Sequence, residues 1–401
     1  MTDPDRTRRR FLGVSILVLL PLVAGVLANA ARPADDEPGA DSLYKYLAVF
    51  SETLNLVRQN YVESTDLGTL LAGAMEGSTD ALDPYSIFLP ASVTTAEEPQ
   101  VLPGVRHAGL IVLKDRGVAY AAAVEAGSAA ERAGLQAGDI LSIVAGHPTR
   151  QMPVWAINHE LASAAGSDVE LEIVRSGETK KVSLPVEIVP FPTPKVEETG
   201  GFPMLSLPRI DLAAVAPART LLATLATPAA ARPAKLIVDL RGVSGGEPEA
   251  AYALAGLFAQ GALGDLKEKD KLLKSFRNDA APVYQGEIAV LVDGYTAGAA
   301  EIVAAALRQS AGAKLVGLPS FGWAGERSRL DLSNGARLLV TTAYFSAADG
   351  KPLLESLAPD LLVDDFGRRF AERERPLSQL ILDRAIRFLA GESELAEKKA
   401  A

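Results

Sequence analysis

The stretch from Ile288 to Arg327, IAVLVDGYTAGAAEIVAAALRQSAGAKLVGLPSFGWAGER, leaves the chain few choices of fold. Ile288 to Val292 is an unbroken apolar run of strand length, so it reads as a buried strand. A turn of small residues follows, then an alanine-rich helix, a second apolar strand from Lys314 to Gly317, and a loop flanked by glycines. Strand, turn, helix and strand in that order call for an α/β layer with a proper core.

Other stretches fit the same layer. Lys235-Leu236-Ile237-Val238-Asp239-Leu240-Arg241-Gly242 is an apolar strand that ends in polar residues, and Val243-Ser244-Gly245-Gly246 leads into a helix from Pro248 to Leu257. Gly335 to Phe345 reads as a closing strand, and Ser378 to Leu389 as a short amphipathic helix. Upstream, Gly127 to Leu141 combines a short helix with two glycine turns. Val154, Ile157 and Leu161 mark a helix from Val154 to Ala165, and Val169 to Arg175 alternates as a half-buried strand. Ser42 to Pro90 has helical periodicity through Leu43, Leu47, Phe50, Leu54 and Val57, and stops at Leu82-Asp83-Pro84-Tyr85-Ser86, where Pro84 disfavours helix at Asp83.

These residues resemble the carboxyl-terminal processing peptidases, serine endopeptidases with a Ser–Lys dyad. Their pattern is an apolar strand, a turn of the form S-A-S-A-S-E-I, then V-G-x-x-T-F-G-K-G-x-x-Q. With Glu301 as the anchor, the nucleophile position falls on Gly298. The base position, 25 residues on, falls on Trp323 with no gap, and the Gln position falls on Arg327. The D-L-R at 239–241 also matches, with the family's N-P-G-G replaced by Val243-Ser244-Gly245-Gly246. The resemblance implies that backbone N–H groups of Gly245 or Gly246 and of Ala299 occupy the oxyanion-hole places. It also makes 101–190 similar to a PDZ domain, with a peptide groove expected at Gly109, Leu110, Ile111, Val154, Ile157 and Leu161. Ile111 stands where a second glycine is usual. The stretch from VRQNYVESTD to LDPYSIFL resembles the family's N-terminal helical arm and carries no chemistry.

The implied fold is an α/β (α+β) multidomain chain: a helical N-terminal arm over 42–100, the PDZ domain over 101–190, and a ClpP/crotonase-like peptidase core of mixed sheet and helices over 191–389. Residues 390–401 read as a frayed tail. Arg6, Arg8, Arg9 and Arg10 precede the uncharged run Phe11 to Ala30, which ends in Ala28-Asn29-Ala30. Residues 1–30 are thus expected to be a signal peptide or an N-terminal membrane anchor, and 31–41 a linker. Both readings place the rest of the chain in the bacterial periplasm. A net charge of −10 argues against nucleic acid as a partner. The absence of cysteine removes disulfides and thiolate metal sites, and three histidines without ligand spacing point to no metal or cofactor.

The replaced residues decide the functional expectation. A Ser–Lys dyad needs a hydroxyl and an amine held neutral by desolvation. Glycine has no side-chain atom, and the indole of tryptophan donates but cannot accept a proton. The expectation is therefore a catalytically degenerate homologue that binds polypeptide C-termini, or a partner protease and its regulators, through its PDZ domain. Trp323 is expected to fill the space over Gly298. The alternatives are an active endopeptidase with a relocated nucleophile, such as Thr296 with Lys314 or Lys351 as base, and a structural envelope subunit with a closed PDZ groove. Thr296 itself reads most simply as the N-cap of the following helix.

Overall fold

A computed structural model of the protein describes residues 40–83, 85–93, 109–115, 117–124, 128–163, 167–185, 193–225, 234–244, 246–322, 324–363 and 375–392. The expected signal segment, most of the linker and residues 393–401 lie outside them, as do Gly245 and Trp323. No described helix is long and apolar enough to cross a membrane.

The chain divides into two units, Met1–Gly73 and Ala74–Ala401. In the first, α1 (Ala40–Asn60) leads to the start of α2 (Leu67–Asp80). Asp66 caps α2, its carboxylate accepting from the Thr69 N–H at 2.7 Å. The second unit begins within α2 and continues into β1 (Ile87–Leu89). The helix ends at Asp80, just before the stop expected at Leu82 to Ser86, and Ile87 to Leu89 pair antiparallel with a long strand of the core. Asp83 sets up that change by accepting from the N–H groups of Tyr85 and Ser86 at 2.8 and 2.7 Å, a local side-chain turn that competes with helix.

A small antiparallel sheet follows. Its elements are β2 (Leu110–Asp115), β3 (Val118–Val124), α3 (Ala129–Arg132), β4 (Ile140–Val144), β5 (His147–Pro148), α4 (Val154–Ser163), β6 (Asp168–Arg175) and β7 (Glu178–Pro185). The strand order is β2-β3-β4-β6-β7, so β2 is an edge strand. Alternation divides β2 between two cores. Leu110 and Val112 pack with Leu141, Ile157, Leu161, Leu171 and Ile173 inside the small sheet's own core. Ile111 and Leu113 point the other way and pack with Ala122, Tyr295 and Phe321.

The remaining elements are β8 (Lys195–Thr199), β9 (Phe202–Ser206), α5 (Leu212–Leu225), β10 (Lys235–Asp239), α6 (Pro248–Ala255), β11 (Gly261–Glu268), β12 (Lys271–Asn278), β13 (Glu287–Val292), α7 (Ala299–Ser310), β14 (Lys314–Gly317), β15 (Gly325–Asp331), β16 (Arg337–Ala347), β17 (Leu361–Leu362) and α8 (Leu377–Ala390). One sheet runs β17-β14-β13-β10-β9-β8, parallel except for the β8/β9 pair. Its central strands are apolar throughout because both faces are covered. Leu236, Val238, Val290, Val292 and Leu315 face the cluster built on α5, α6 and α7. Ile237, Ala289, Leu291 and Val316 face Ile381, Ala385 and Leu389 of α8. The amphipathic helix read near the C-terminus is thus the second cover of the sheet. A further sheet, β1-β16-β11-β12 with β15 on β16, stands beside this sandwich.

Candidate functional site

Three chain segments meet at the C-terminal ends of β10 and β13. Arg241 folds back on Asp239 through two hydrogen bonds of 2.8 and 2.6 Å and also donates to the Ser378 carbonyl. Gly242 turns with φ 68°, and its N–H donates to Oδ1 of Asp293 at 3.0 Å. Asp293, the first residue after β13, also accepts from the Tyr295 N–H at 3.1 Å. Burial raises its pKa above the usual carboxylate value against the pull of these donors. The Ala297 N–H completes the tie by donating to the Val243 carbonyl at 3.0 Å.

Thr296 is part of this tie. Its side chain is fully buried, and its hydroxyl accepts from the Asp293 N–H at 3.0 Å and donates to the Leu240 carbonyl at 3.0 Å. It is not the N-cap expected from its position, because α7 begins three residues later and the cap is Gly298. Nor is its hydroxyl directed at any open space. The two lysines named as alternative bases are no better placed: Lys314 is exposed and paired with Asp360 at 3.7 Å, and Lys351 is exposed.

Gly298 is where the sequence placed it, between strand and helix, with φ 61° and ψ −119°. Side-chain-bearing residues adopt such a backbone only under strain, as at the sharp strand-to-helix turns that carry catalytic nucleophiles. Here the turn carries a hydrogen. Glu301 holds the turn in shape. Wholly buried, it accepts from the Gly298 N–H (2.9 Å), the Ser320 hydroxyl (2.5 Å) and the Gly322 N–H (2.7 Å). Burial outweighs these three donors and pushes its pKa up to about 7. Through Ser320 and Gly322 the same carboxylate fastens the loop after β14 onto the turn, and the Phe321 N–H adds a bond to the Thr296 carbonyl at 2.9 Å. Trp323, the expected plug, belongs to this loop but lies outside the described residues.

Of the oxyanion-hole candidates, Gly245 is outside the described residues and the other two are neighbours. A Cβ built on Gly246 would stand 3.1 Å from the Ala299 Cβ and only 2.4 Å from the Ile210 carbonyl, so the close approach requires glycine. Among the described residues neither the Gly246 N–H nor the Ala299 N–H has an acceptor. Such unengaged donors are what oxyanion stabilisation calls for.

The residues expected to form a peptide groove are placed differently. Leu110, Ile157 and Leu161 are all buried in the small sheet's core. Gly109 supplies the positive φ, at 75°, while Ile111 is ordinary strand and needs none, so its side chain is no obstacle in a carboxylate loop. It faces Tyr295 and Phe321 instead. At the other end of β2, Lys114 reaches across to the Met152 carbonyl at 2.6 Å, just before α4 and Val154.

Four residues near the site carry no weight in the sequence reading: Tyr85, Ser244, Tyr295 and Phe321. They line a cavity of about 10 Å³ together with Ile111, Leu113, Ala122 and Ala297. Tyr85 lies edge-on to Phe321, with ring centroids 5.8 Å apart, and the guanidinium of Arg327 stands 5.9 Å from the centre of the Tyr85 ring. The LDPYS stretch, expected to carry no chemistry, thus delivers an aromatic wall to the site.

Comparison with known proteins bears on the domains and the fold. Residues 208–363 match the model of peptidase family S41, and residues 120–175 match a PDZ domain. The chain carries an S41 peptidase domain and a PDZ domain. It is 26% identical to the carboxy-terminal processing protease CtpA of Bacillus subtilis over 76% of this chain and 67% of that protein. It is 24% identical to the carboxy-terminal-processing protease of Bartonella bacilliformis over 85% of this chain and 81% of that one. Among solved structures, the photosystem II D1 C-terminal processing protease shares the fold, with a TM-score of 0.63 at 21% identity over 85% of this chain and 91% of that chain. The S41 match takes in β10 to β17 and the turns that follow β10 and β13. The PDZ domain is the small sheet on β2 to β7.

Proposed function

We propose that this S41-family protein is a non-catalytic binder of polypeptide ends, or of partner proteins, working in the bacterial envelope. One observation carries the reading: the apex of the strand-to-helix turn, at 298, keeps the backbone conformation of a nucleophile-bearing turn and offers no nucleophile. The nearest hydroxyl on that turn, Thr296, is buried and already bonded on both sides. The neighbouring donors of Gly246 and Ala299 are retained, so the site keeps the means to hold a carbonyl or carboxylate oxygen without the means to attack a carbonyl carbon. The PDZ domain supplies the general capacity to hold a polypeptide end. The envelope assignment rests on Arg6 to Arg10 followed by the uncharged run to Ala30. It predicts a mature protein that begins near Ala31, and a mass showing an intact N-terminus would point to the anchor instead.

The test is incubation of the purified protein with an unfolded, tail-bearing substrate, followed by mass spectrometry. The expected result is an intact substrate after prolonged incubation. Cleavage that disappears in Thr296→Val would replace this reading with that of a relocated nucleophile. A second reading, a structural subunit with a closed groove, draws support from the burial of Leu110, Ile157 and Leu161 and from the Lys114 strut. Failure of any free-carboxylate peptide to bind would favour it.

A further inference from the structure

At the end of α7 far from Gly298 lies a second cavity, of about 280 Å³, between the loop that leads into β13 and the segment after α6. Its walls include Phe258, Tyr284, Gly286, Ile288, Ser310 and Ala311. Tyr284 is only 1% exposed, and its hydroxyl has no hydrogen-bond partner. The chain fixes it there. The N–H groups of Val283 and Tyr284 both donate to the Leu257 carbonyl, at 2.7 and 3.1 Å, and the Tyr284 ring lies edge-on to Phe258 with centroids 6.0 Å apart. The hydroxyl is thereby brought against the cavity wall at Gly286, where a Cβ would stand 2.9 Å from it and 2.1 Å from the Ala234 carbonyl. An orphaned buried hydroxyl costs folding free energy unless something arrives to satisfy it. Burial pushes its pKa up to about 12, so it is a neutral phenol near neutral pH.

The facing wall is the C-terminus of a helix. α7 ends at Ser310, and the N–H groups of Ala311 and Ala313 both return to the Leu307 carbonyl. Among the described residues no donor reaches the carbonyls of Arg308, Gln309 or Ser310. Such carbonyls carry the negative end of the helix dipole, equivalent to roughly half an elementary charge. No lysine, arginine, aspartate or glutamate is among the residues lining the cavity, so nothing in that wall offsets it. Arg308, the basic residue of the last turn, is spent on the Ala358 carbonyl at 2.9 Å.

We propose that this cavity binds a primary ammonium group on a short aliphatic stem, with the charge set against the end of α7 and one N–H donated to the Tyr284 hydroxyl. An ammonium has three donors and no acceptor, which suits a phenol oxygen and helix carbonyls that all accept. Aromatic rings in the wall favour a cation, and Ile288 suits the stem. A free alkylamine and the lysine side chain of a polypeptide present the same group. α7, twelve residues and about 18 Å long, separates the cavity from Gly298, so the inference does not rest on the non-catalytic reading.

The experiment is methyl NMR of the purified protein labelled at its isoleucine δ1-methyl groups, with the Ile288 signal assigned through Ile288→Val. The probes are n-pentylammonium, 1-pentanol and the peptide acetyl-Gly-Lys-Gly-amide. Pentylammonium is expected to shift the Ile288 signal saturably and to bind roughly 10-fold or more tightly than pentanol, as a charge-assisted bond would have it. Tyr284→Phe should weaken pentylammonium by about threefold to tenfold without lowering the melting temperature, because the hydroxyl it removes has no partner in the free protein. Ala311→Leu, at a position whose backbone φ of −111° takes any side chain, narrows the cavity and should abolish the shift whether or not Tyr284→Phe folds. Saturation by the lysine peptide at similar concentration would make the ligand a polypeptide side chain, and saturation by pentylammonium alone a free amine. An Ile288 signal that no probe moves overturns the proposal. So does equal affinity for pentanol and pentylammonium, or binding that both Tyr284→Phe and Ala311→Leu leave unchanged.

Discussion

At the scale of single residues, the turn at 298 invites repair. Gly298→Ser places a side chain on a backbone with φ 61°, which typically costs about 1–3 kcal/mol. The variant should melt lower than the unmodified protein and still cleave nothing, because no proton acceptor stands at 323. Trp323→Lys alone should be equally inert. Turnover of an unfolded substrate is expected only from the two together, with Arg327→Gln as a third change if the guanidinium repels the new amine. Glu301 offers a second measurement. Its folded pKa, about 7, is above its ordinary 4.5, so the folded protein holds a proton that the unfolded chain releases in that interval. Stability attached to this group is therefore present below pH 4.5 and is lost as pH rises to 7. Melting curves taken between pH 4.5 and 7.5 should show a decline that is visibly flatter in Glu301→Gln, and identical slopes would refute the assignment. The places of Gly298 and Glu301 were readable in advance, because they rest on a spacing of three along one turn, but the part Glu301 plays as a buried acceptor was not. Nor was the role of Thr296, since the acceptor that occupies its hydroxyl, Leu240, lies 56 residues away in sequence. The isolation of the Tyr284 hydroxyl was hidden too, because a missing partner is a property of the folded surroundings and leaves no mark in the chain.

Among the elements, strands and helices with a single clear period were found where the sequence put them. β14 spans Lys314–Gly317 as read, and the helix expected to start at Val154 does so. The exceptions are places where an element takes its character from a distant partner. Ile87 to Leu89 become a strand because β16 is there to pair with them; the helix read at Ser378 to Leu389 is found at 377–390, and only its role as cover of a distant sheet face was not readable. The PDZ domain also contains an electrostatic brace that the glycine-turn motif did not announce. Asp139, at the end of that motif, is almost wholly buried. It receives two bonds from Arg175 of β6 at 2.5 Å each and the Gln136 N–H at 2.8 Å. Burial alone would raise its pKa, but these donors win and hold it below the usual value. Asp139→Ala strips a buried ion pair of one member and should cost roughly 3 kcal/mol. Chemical denaturation of the isolated transition assigned to 109–185 measures it, and a loss under about 1 kcal/mol would show that the brace is slack.

On the scale of the whole second unit, β2 belongs to two cores at once, with alternate side chains serving the PDZ domain and the wall of the cleft. Replacing Ile111 and Leu113 together by serine should leave the PDZ core intact, because neither side chain is part of it. The expected outcome is faster amide exchange at 294–297 with unchanged protection in β6 and β7. Slower exchange in the turn, or loss of protection in both places, would deny β2 this double allegiance.

The position of α8 bears on how the protein is made. The parallel sheet is sealed on one face by helices that precede or interleave with its strands, but on the other by residues 377–390 alone among the described helices. A chain emerging in order from the ribosome therefore displays Ile237, Ala289, Leu291 and Val316 as a bare apolar surface until translation has passed Leu389. Folding of the parallel sheet is thereby postponed until α8 is available, and a nascent chain halted before Leu377 is a natural client for a chaperone.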